Sequence, residues 1–567
     1  RSHDFVSASP RRPPDVSACT PRGYSTGRPC RTPSHTRTTR AMGSANRTTR
    51  ASDARADDKP PGAEQGAQIT ISELAKPAKP PTPRRLKRGW LWQRKQAPER
   101  RLAILYQAHP EPKMRTTAAL QDWGFEGARL LSESLALLDD PPLAVTRKLK
   151  GRWDQSASLV ERSLLGKLPA ALKDRLRAWA EADATGRAGR AVGALVGLAV
   201  GDWVGAPLEF LEAVDEVAES RWSHAAFECI GPAGAHHPKH RDKKGPIQPG
   251  QFTDDTSMAL CLADSLISKQ RLDGSDCRLR FWSWHAEGMN NTFRCDPTRE
   301  SRLSFGLGYN IAKSLFSLET HTPPPPQYIV PDSNDSGNGA MMRLAPMPIF
   351  FACHGESAAT DAAAFSAGLT HPGLLAAETA RFLALVVYRA INRASEYASA
   401  RALLEAVADE YTGVLDRRLH CCTCGEEADT LRALRALLAS SCPEGTEHCW
   451  NWRDEHTHIL STLAARGDEY NGHPVSRAYF GSYCMDGLAL ALYAVATTSS
   501  FDMAVERAVN FLGDADTIGA IAGQMAGAYY GAGAIDKRYK DALRPWERDE
   551  IAARAVLCFL SGRAARR

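Results

Sequence analysis

The sequence lacks an uninterrupted apolar run long enough to cross a bilayer. About 20 consecutive apolar residues are needed, and the best run, 191–200, is soon followed by Asp202. Long alternating runs of β-branched residues are also absent, which predicts few strands. The 14 cysteines have no regular spacing, which argues against a secreted disulfide scaffold and favours reduced, intracellular thiols. We therefore expect a soluble protein with no membrane span, cytoplasmic by default.

Acidic residues are scarce at the start of the chain. The first 50 residues contain ten Arg and two acids, a local charge of +8, so the remainder carries −2 of the total +6. Because the remainder is nearly neutral, we infer no nucleic-acid binding. Residues 1–85 also lack apolar periodicity, which predicts a disordered leader and linker. The leader is either an organellar transit peptide or sequence translated from upstream of Met42.

Apolar residues at intervals of three and four predict helices along the rest of the chain. We expect a short helical region of unassigned role at 86–186, followed by a mostly helical domain at 187–567. Within that domain, 374–391 and 488–495 are the plainest helical stretches. The predicted fold class is all-α.

Two ladders of glycines recur at intervals of four residues, at 193–205 and at 519–531. Residues i and i+4 share one face of a helix, and each mid-helix glycine costs up to ~1 kcal/mol relative to alanine. The flanking residues are too polar for a membrane dimerisation face. The ladders therefore predict two helices that approach each other closely within a soluble bundle.

Carboxylates lie beside both ladders and at the starts of helices. They are Asp202, Glu209, Asp254, Asp255, Asp514 and Asp516. One acid at a helix start is an ordinary cap, but crowded carboxylates repel unless a cation or a proton intervenes. Oxygen ligands without nearby His or Cys suit Mg²⁺ or Mn²⁺ better than Zn²⁺. The spacing leaves two readings open: helix capping, or a centre for two cations that orient a diol and activate water.

Five motifs follow the order typical of the ADP-ribosylglycohydrolase family, which the chain resembles from about 187 to 560. They are Gly197-Leu-Ala-Val-Gly-Asp202 continuing to Glu209, Thr253-Asp-Asp-Thr256, Ser336-Gly-Asn-Gly-Ala-Met-Met-Arg343, Thr370-His371 and Gly513-Asp-Ala-Asp-Thr517. Each motif alone is weak, but their order is specific. The family includes the dinitrogenase reductase-activating glycohydrolase and the ADP-ribosylarginine and ADP-ribosylserine hydrolases. The resemblance implies a compact, roughly orthogonal multi-helix fold.

The resemblance also implies a set of site residues. Two divalent cations, Mg²⁺ first and Mn²⁺ as the alternative, would be held by Thr253, Asp254, Asp255, Asp514, Asp516 and Thr517. Glu209 would position or deprotonate the attacking water. The substrate would be bound by Ser336, Gly337, Asn338, Gly339, His371 and Tyr483. Backbone N–H groups at the glycine turn suit a diphosphate, whereas His371 and Tyr483 can equally be read as core residues.

Three segments depart from the family pattern. Gly306 stands where some bacterial members carry the acid of an Asp-Ile-Gly element, which argues against arginine specificity of the bacterial type. The proline-rich stretch 311–335 is expected to be an insertion or a lid, and 417–460 a second insertion. The second holds a Cys/His cluster within 420–449 whose spacing matches no standard zinc module, so simple thiols are favoured there.

The resemblance thus implies an enzyme that hydrolyses the glycosidic bond at C1″ of ADP-ribose. The expected partner is an ADP-ribosylated protein or a small ADP-ribosyl conjugate, and a monomer is expected. Two alternatives stay open: a non-catalytic ADP-ribose-binding or structural relative, and another two-metal hydrolase such as a phosphohydrolase. The complete set of acids, with Glu209 and Asp514 both present, counts against the first alternative.

Overall fold

The fold is built from helices that come from distant parts of the chain. The computed structural model describes residues 125–141, 143, 145, 162–183, 186–216, 220–229, 247–298, 304, 306–320, 324–330, 335–467, 469–470, 473–474 and 478–565. The predicted leader and the beginning of the predicted helical region, 86–124, lie outside these residues. All described residues belong to one compact unit, which spans Arg85–Arg567.

The described residues confirm the all-α prediction. The helices are α1 Phe125–Leu135, α2 Ala170–Glu181, α3 Arg187–Gly205, α4 Asp254–Lys269, α5 Gly274–Glu287, α6 Tyr309–Phe316, α7 Pro346–Phe350, α8 Glu356–Ala367, α9 Leu374–Arg393, α10 Ala400–Cys421, α11 Gly425–Leu438, α12 Ile459–Arg466, α13 Cys484–Ala496, α14 Phe501–Val509, α15 Ala515–Tyr530, α16 Lys537–Glu547 and α17 Glu550–Ala565. Short 3₁₀ turns lie at Ala206–Leu208, Thr292–Cys295, Ser317–Thr320, Asn338–Ala340, Phe351–Cys353, Ala394–Glu396 and Ala532–Ala534.

Strands are few and short in the described part of the chain. β1 (Trp222–Ser223) pairs antiparallel with β2 (Glu228–Cys229), and β3 (Glu469–Tyr470) pairs antiparallel with β4 (His473–Pro474). Both pairs are two residues long and neither forms part of a larger sheet. The core therefore consists of helix-on-helix packing.

Helices α3 and α15 lie against each other along the two glycine ladders. A Cβ added at Gly193 would lie 2.1 Å from the carbonyl oxygen of Gly527, and one at Gly197 would lie 2.2 Å from that of Gly523. Any side chain in the ladder would therefore hold the two helices apart. The last glycine of the predicted ladder, Gly531, is an exception because it follows α15 with a φ of +83° and ends the helix.

Successive glycines of α3 contact residues progressively earlier in α15, which shows that the two helices run antiparallel. The C-terminal end of α3, at Gly205, lies against Ala515 at the N-terminal end of α15. Asp202 on α3 and Asp514 and Asp516 at the entrance of α15 are thereby brought to the same end of the helix pair. The close packing of the two glycine ladders therefore brings these acidic residues together.

Helix α3 is also the one described helix that is long and apolar enough to cross a membrane by length and composition. The span Arg187–Leu208 has a mean hydropathy of 1.5, and 94% of the window is buried inside the fold. Its apolar character is accounted for by its position in the centre of the core.

Residues 125–183 contribute to the same core as the helices that follow. Leu130, Leu165 and Leu176 are fully buried within it. Glu550, at the start of α17, accepts hydrogen bonds from Ser163 and from Lys173, the latter at 2.9 Å. The described part of the predicted N-terminal region is therefore packed on α17 through both apolar and charged contacts.

Candidate active site

The site is built around Asp202, a fully buried acid on α3. Its carboxylate accepts hydrogen bonds from the backbone N–H of Thr253 at 3.0 Å and from that of Thr256 at 3.0 Å. The hydroxyl groups of the same two threonines donate to it at 2.8 and 2.6 Å. Burial raises the pKa of Asp202 to about 6, although these hydrogen bonds oppose the rise. Asp202 therefore ties the start of α4 to α3.

The predicted cation ligands converge at this end of the helix pair. Carboxylate oxygens of Asp202, Asp255 and Asp516 lie within 4.8 Å of one another, and those of Glu209, Asp514 and Asp516 form a second such group. Of the other predicted ligands, Thr253 donates its hydroxyl to Asp255 at 3.1 Å, whereas Asp254 and Thr517 are buried but belong to neither group. The structure thus brings together residues that are up to about 300 positions apart in sequence.

The carboxyl groups of this cluster are destabilised in their charged form. Burial, and then the charges of Asp202 and Asp514, raise the pKa of Asp255 well above its usual range. Burial and the neighbouring charges of Glu209, Asp255 and Asp514 do the same for Asp516. Burial, and then Asp514, raise the pKa of Glu209. A cluster of this kind needs protons or cations to offset the repulsion.

The donor set fits hard divalent cations. Oδ1 of Asp255 is buried and has no hydrogen-bond partner among the described residues. An unpaired buried carboxylate oxygen is costly unless a cation or a proton satisfies it. All the converging side chains offer oxygen, which is the ligand type that Mg²⁺ and Mn²⁺ prefer. The chemistry of the residues present is therefore compatible with cation binding.

The glycine turn lies directly beside the acid cluster. Asn338 donates from its side-chain amide to Asp514, and its own backbone N–H donates to the carbonyl oxygen of Ser482 at 2.9 Å. Gly337 forms an isolated antiparallel bridge with Tyr483. The ring of Tyr483 lies 6.1 Å from that of Trp450, centroid to centroid. The predicted substrate residues Ser336–Gly339 and Tyr483 are thus adjacent.

His371 lies beneath the turn. Its ring would be 2.6 Å from a Cβ added at Gly339, which leaves no room for a side chain there, and 3.1 Å from one added at Gly337, where the fit is tight. Arg343 donates to the hydroxyl of Thr370 at 2.6 Å, and that hydroxyl lies 2.8 Å from Nδ1 of His371. Burial, and then Arg343, lower the pKa of His371 to about 3. His371 is therefore a neutral, buried support of the turn in this arrangement.

Gly306 lies against the acid cluster from another side. It has a φ of +86°, and a Cβ there would fall 2.0 Å from Oδ1 of Asp254. Within the predicted insertion or lid, 311–335, residues 311–316 belong to α6, and 324–330 are anchored to α5: the Arg278 guanidinium donates to the carbonyl oxygens of Pro325 at 2.9 Å and Gln327 at 3.1 Å. This part of the segment is held against the fold by those contacts.

Residues of the types that bind metals also occur in two places outside this cluster. His224, Asp502 and Asp536 approach one another, but Arg538 donates to Asp536 at 2.8 Å and already supplies a positive charge. In the Cys/His segment 420–449, the described side chains form no group of three within reach of one ion. The described cysteines of that segment are free thiols.

Two residues that contact the cluster were not singled out as site residues from the sequence. Asp202 belongs to the first motif but not to the predicted ligands, and its hydrogen bonds to Thr253 and Thr256 span more than 50 residues. Tyr479 stacks on Phe210 with a centroid distance of 5.5 Å, and burial and then the nearby charge of Asp514 raise its pKa. No spacing pattern in the sequence points to Tyr479.

The chain is similar in sequence to known proteins over about two thirds of its length. A family model described as ADP-ribosylglycohydrolase matches residues 183–565. The chain is 28% identical to a Pseudomonas putida (strain GB-1) protein named ADP-ribosylarginine hydrolase Tri1, over 60% of this chain and 71% of that protein. It is 27% identical to ADP-ribosyl-(dinitrogen reductase) glycohydrolase of Rhodospirillum rubrum, over 60% of this chain and 86% of that protein. It is 25% identical to ADP-ribosylhydrolase ARH3 of Homo sapiens, over 64% of this chain and 92% of that protein.

Proposed function

This chain belongs to the ADP-ribosylglycohydrolase family and is an enzyme of that kind, and we propose that it releases ADP-ribose from modified proteins by hydrolysing the glycosidic bond at C1″. The observation that carries the proposal is the buried, oxygen-only cluster in which Oδ1 of Asp255 has no hydrogen-bond partner among the described residues. Such a cluster supports a reaction that depends on divalent cations.

Two cations would be held by the six predicted ligands, with Mg²⁺ first and Mn²⁺ as the alternative. Asp254, Asp255 and Thr253 would contribute from the start of α4, and the residues at the entrance of α15 from the opposite side. When bound, the cations would hold ribose hydroxyls and lower the pKa of a water molecule. Asp202 would keep the hydroxyl of Thr253 oriented through its hydrogen bond of 2.8 Å.

Glu209 is the group proposed to manage the proton of the attacking water. It follows the 3₁₀ turn Ala206–Leu208 and is hydrogen-bonded to Asp516. Its carboxylate lies within 4.8 Å of those of Asp514 and Asp516, so it would stand beside the proposed cations and the water that they hold. The proton would pass from the water to a carboxylate oxygen of Glu209.

The turn Ser336–Gly339 and Tyr483 are proposed to hold the remainder of ADP-ribose. The bridge between Gly337 and Tyr483 supports a single binding surface rather than two separate ones. Trp450 backs the tyrosine ring, and its indole N–H donates to Asp486 at 2.7 Å. The diphosphate would then lie on the turn and an aromatic face would be available beside it.

The test incubates the purified chain with proteins carrying ADP-ribose on arginine or on serine. We expect release of free ADP-ribose with Mg²⁺ or Mn²⁺, no release with EDTA, and loss of release in Asp254→Ala and Asp514→Ala. The control is Asp429→Ala, which removes an acid that is 77% exposed on α11. The two substrates also determine which acceptor linkage is cleaved.

Each alternative function has its own outcome in this experiment. AMP or phosphate among the products would identify a phosphohydrolase instead. Binding of ADP-ribose without any release, in the presence of either cation, would identify a non-catalytic relative. Release that survives both Asp254→Ala and Asp514→Ala would refute the metal-dependent mechanism.

A further inference from the structure

The side chain of Asn338 is committed to the acid cluster rather than to the surface of the turn. It is 7% exposed, and its amide nitrogen donates to Oδ2 of Asp514 at 2.6 Å and to the carbonyl oxygen of Gly481 at 2.8 Å. Since both partners are acceptors, only the NH₂ end of the amide can face them. An amide has two N–H donors, and both are used here.

The backbone of the turn is hydrogen-bonded to the segment 480–484. Its N–H donates to Ser482 at 2.9 Å, and Cys484 donates its own N–H to the carbonyl oxygen of Ser336 at 2.9 Å. The N–H of Asp514 donates to Phe480 at 2.9 Å. The segment 480–484 therefore contacts the turn on one side and Asp514 on the other.

Asp514 caps the N-terminus of α15 through its backbone, whereas its side chain accepts the amide of Asn338. Its carbonyl oxygen accepts the N–H of Ile518 at 3.0 Å, and its carboxylate makes no capping hydrogen bond to the helix. Gly481 approaches it so closely that an added Cβ would lie 2.8 Å from the Cβ of Asp514. The amide of Asn338 therefore restrains the Oδ2 atom of a carboxylate that belongs to the group formed with Glu209 and Asp516.

We propose that Asn338 is a positioning residue whose side-chain amide orients Asp514 for cation binding. The inference rests on the proposed function for the identity of the cation site. Groups that orient metal ligands through hydrogen bonds typically contribute 10- to 100-fold, roughly, to metal affinity. Removing the amide should thus weaken cation binding even when no ADP-ribose is present.

The experiment measures Mn²⁺ binding to the full chain by calorimetry or electron paramagnetic resonance, without substrate. Asn338→Ala should bind Mn²⁺ about 10- to 100-fold more weakly than the unmodified chain. The matched control is Asn310→Ala, which removes an amide–carboxylate hydrogen bond to Asp335 near the same turn and should leave Mn²⁺ affinity unchanged.

A double-mutant cycle separates positioning from general loss of structure. In the Asp514→Asn background, Asn338→Ala should have little further effect on Mn²⁺ affinity, because the group that it orients is already altered. Equal Mn²⁺ affinity of Asn338→Ala and the unmodified chain would overturn the proposal, as would full additivity in the cycle. If the unmodified chain binds no Mn²⁺ and no Mg²⁺, the metal centre of the proposed function fails. If cation binding responds as expected but no ADP-ribose is released, only the proposed activity fails.

Discussion

The backbones of Gly201 and Gly519 pack directly against each other in the centre of the fold. A Cβ on Gly201 would be 1.9 Å from the carbonyl oxygen of Gly519, and a Cβ on Gly519 would be 2.4 Å from that of Gly201. The clash in either direction is with backbone, which cannot move aside as a flexible side chain can. This contact lies between the two ends of the ladder, next to Asp202 on the same helix.

Alanine in the ladder should destabilise the fold by overpacking. We expect Gly519→Ala to lower the free energy of unfolding by about 2 kcal/mol or more, measured by urea denaturation. Gly413→Ala is the control, because its nearest new contact is Arg417 Nη1 at 3.7 Å, within α10. That variant should gain up to about 1 kcal/mol from helix propensity. Similar effects of the two substitutions would refute the ladder interpretation.

Removing one acid from the cluster should have opposite effects with and without cations. Without cations, Asp516→Asn should unfold at the same or a higher temperature than the unmodified chain, because it relieves repulsion with Glu209, Asp255 and Asp514. With cation at 100 times the dissociation constant, the unmodified chain should gain about 2.7 kcal/mol. The variant should gain much less at the same concentration.

Thermal unfolding with EDTA and with Mg²⁺ or Mn²⁺ checks this prediction. Asp429→Asn removes an acid that is 77% exposed and should behave like the unmodified chain in both conditions. A drop in the EDTA melting temperature of Asp516→Asn, together with an intact response to cations, would contradict the assignment of Asp516 to the cation site.

Acid unfolding should depend on Glu550. Burial alone would raise its pKa, but Arg554, Arg294 and Lys173 lower it to about 2. A carboxyl group with a lowered pKa stabilises the fold above its unfolded pKa of about 4.5, and that contribution is lost as the pH falls towards 2. The contribution at neutral pH is about 3 kcal/mol.

Glu550→Gln should therefore be less stable at pH 7 and show a flatter loss of stability between pH 4.5 and 2. Chemical denaturation across that pH range measures both effects. Asp429→Asn, whose aspartate is exposed, should retain the pH dependence of the unmodified chain. An unchanged slope in Glu550→Gln would show that the ion-pair network with Arg554 does not stabilise the fold in this way.

A side chain at position 306 should disturb the cluster from outside. Gly306→Ala places a Cβ 2.0 Å from Oδ1 of Asp254 and strains a backbone with φ of +86°. We expect Mn²⁺ affinity to fall roughly 10- to 100-fold, as for other groups that orient metal ligands. Gly308→Ala, whose nearest new contact is Ile311 Cδ1 at 3.9 Å, should bind Mn²⁺ normally. Normal binding by both variants would mean that Gly306 does not constrain Asp254.

Several features could be predicted from local sequence patterns. The four-residue spacing of the ladders predicted close helix packing, which the contacts of Gly197 with Gly523 show. The apolar periodicity of 374–391 predicted a helix that the structure extends to Arg393. Both patterns are local, because helical contacts repeat every three or four residues.

Other features depend on contacts between distant residues, which local patterns do not encode. The amide of Asn338 and the carboxylate of Asp514 are 176 positions apart, and the residues alone do not indicate which group the amide faces. His371 packs against Gly337 and Gly339 of the turn, which precede it by more than 30 positions. Ser163 reaches Glu550 over 387 positions, so the packing of the N-terminal region on α17 was not expected.

The amino-acid sequence by itself determined the helical class, the glycine face of two helices and the supply of acidic side chains at helix starts. Only the tertiary structure decided which acids meet, which side chains orient them and which oxygen of Asp255 is left without a partner among the described residues. The physical reason is that helix formation follows short-range periodicity, whereas the repulsion and hydrogen bonding of buried carboxylates depend on distances set by packing.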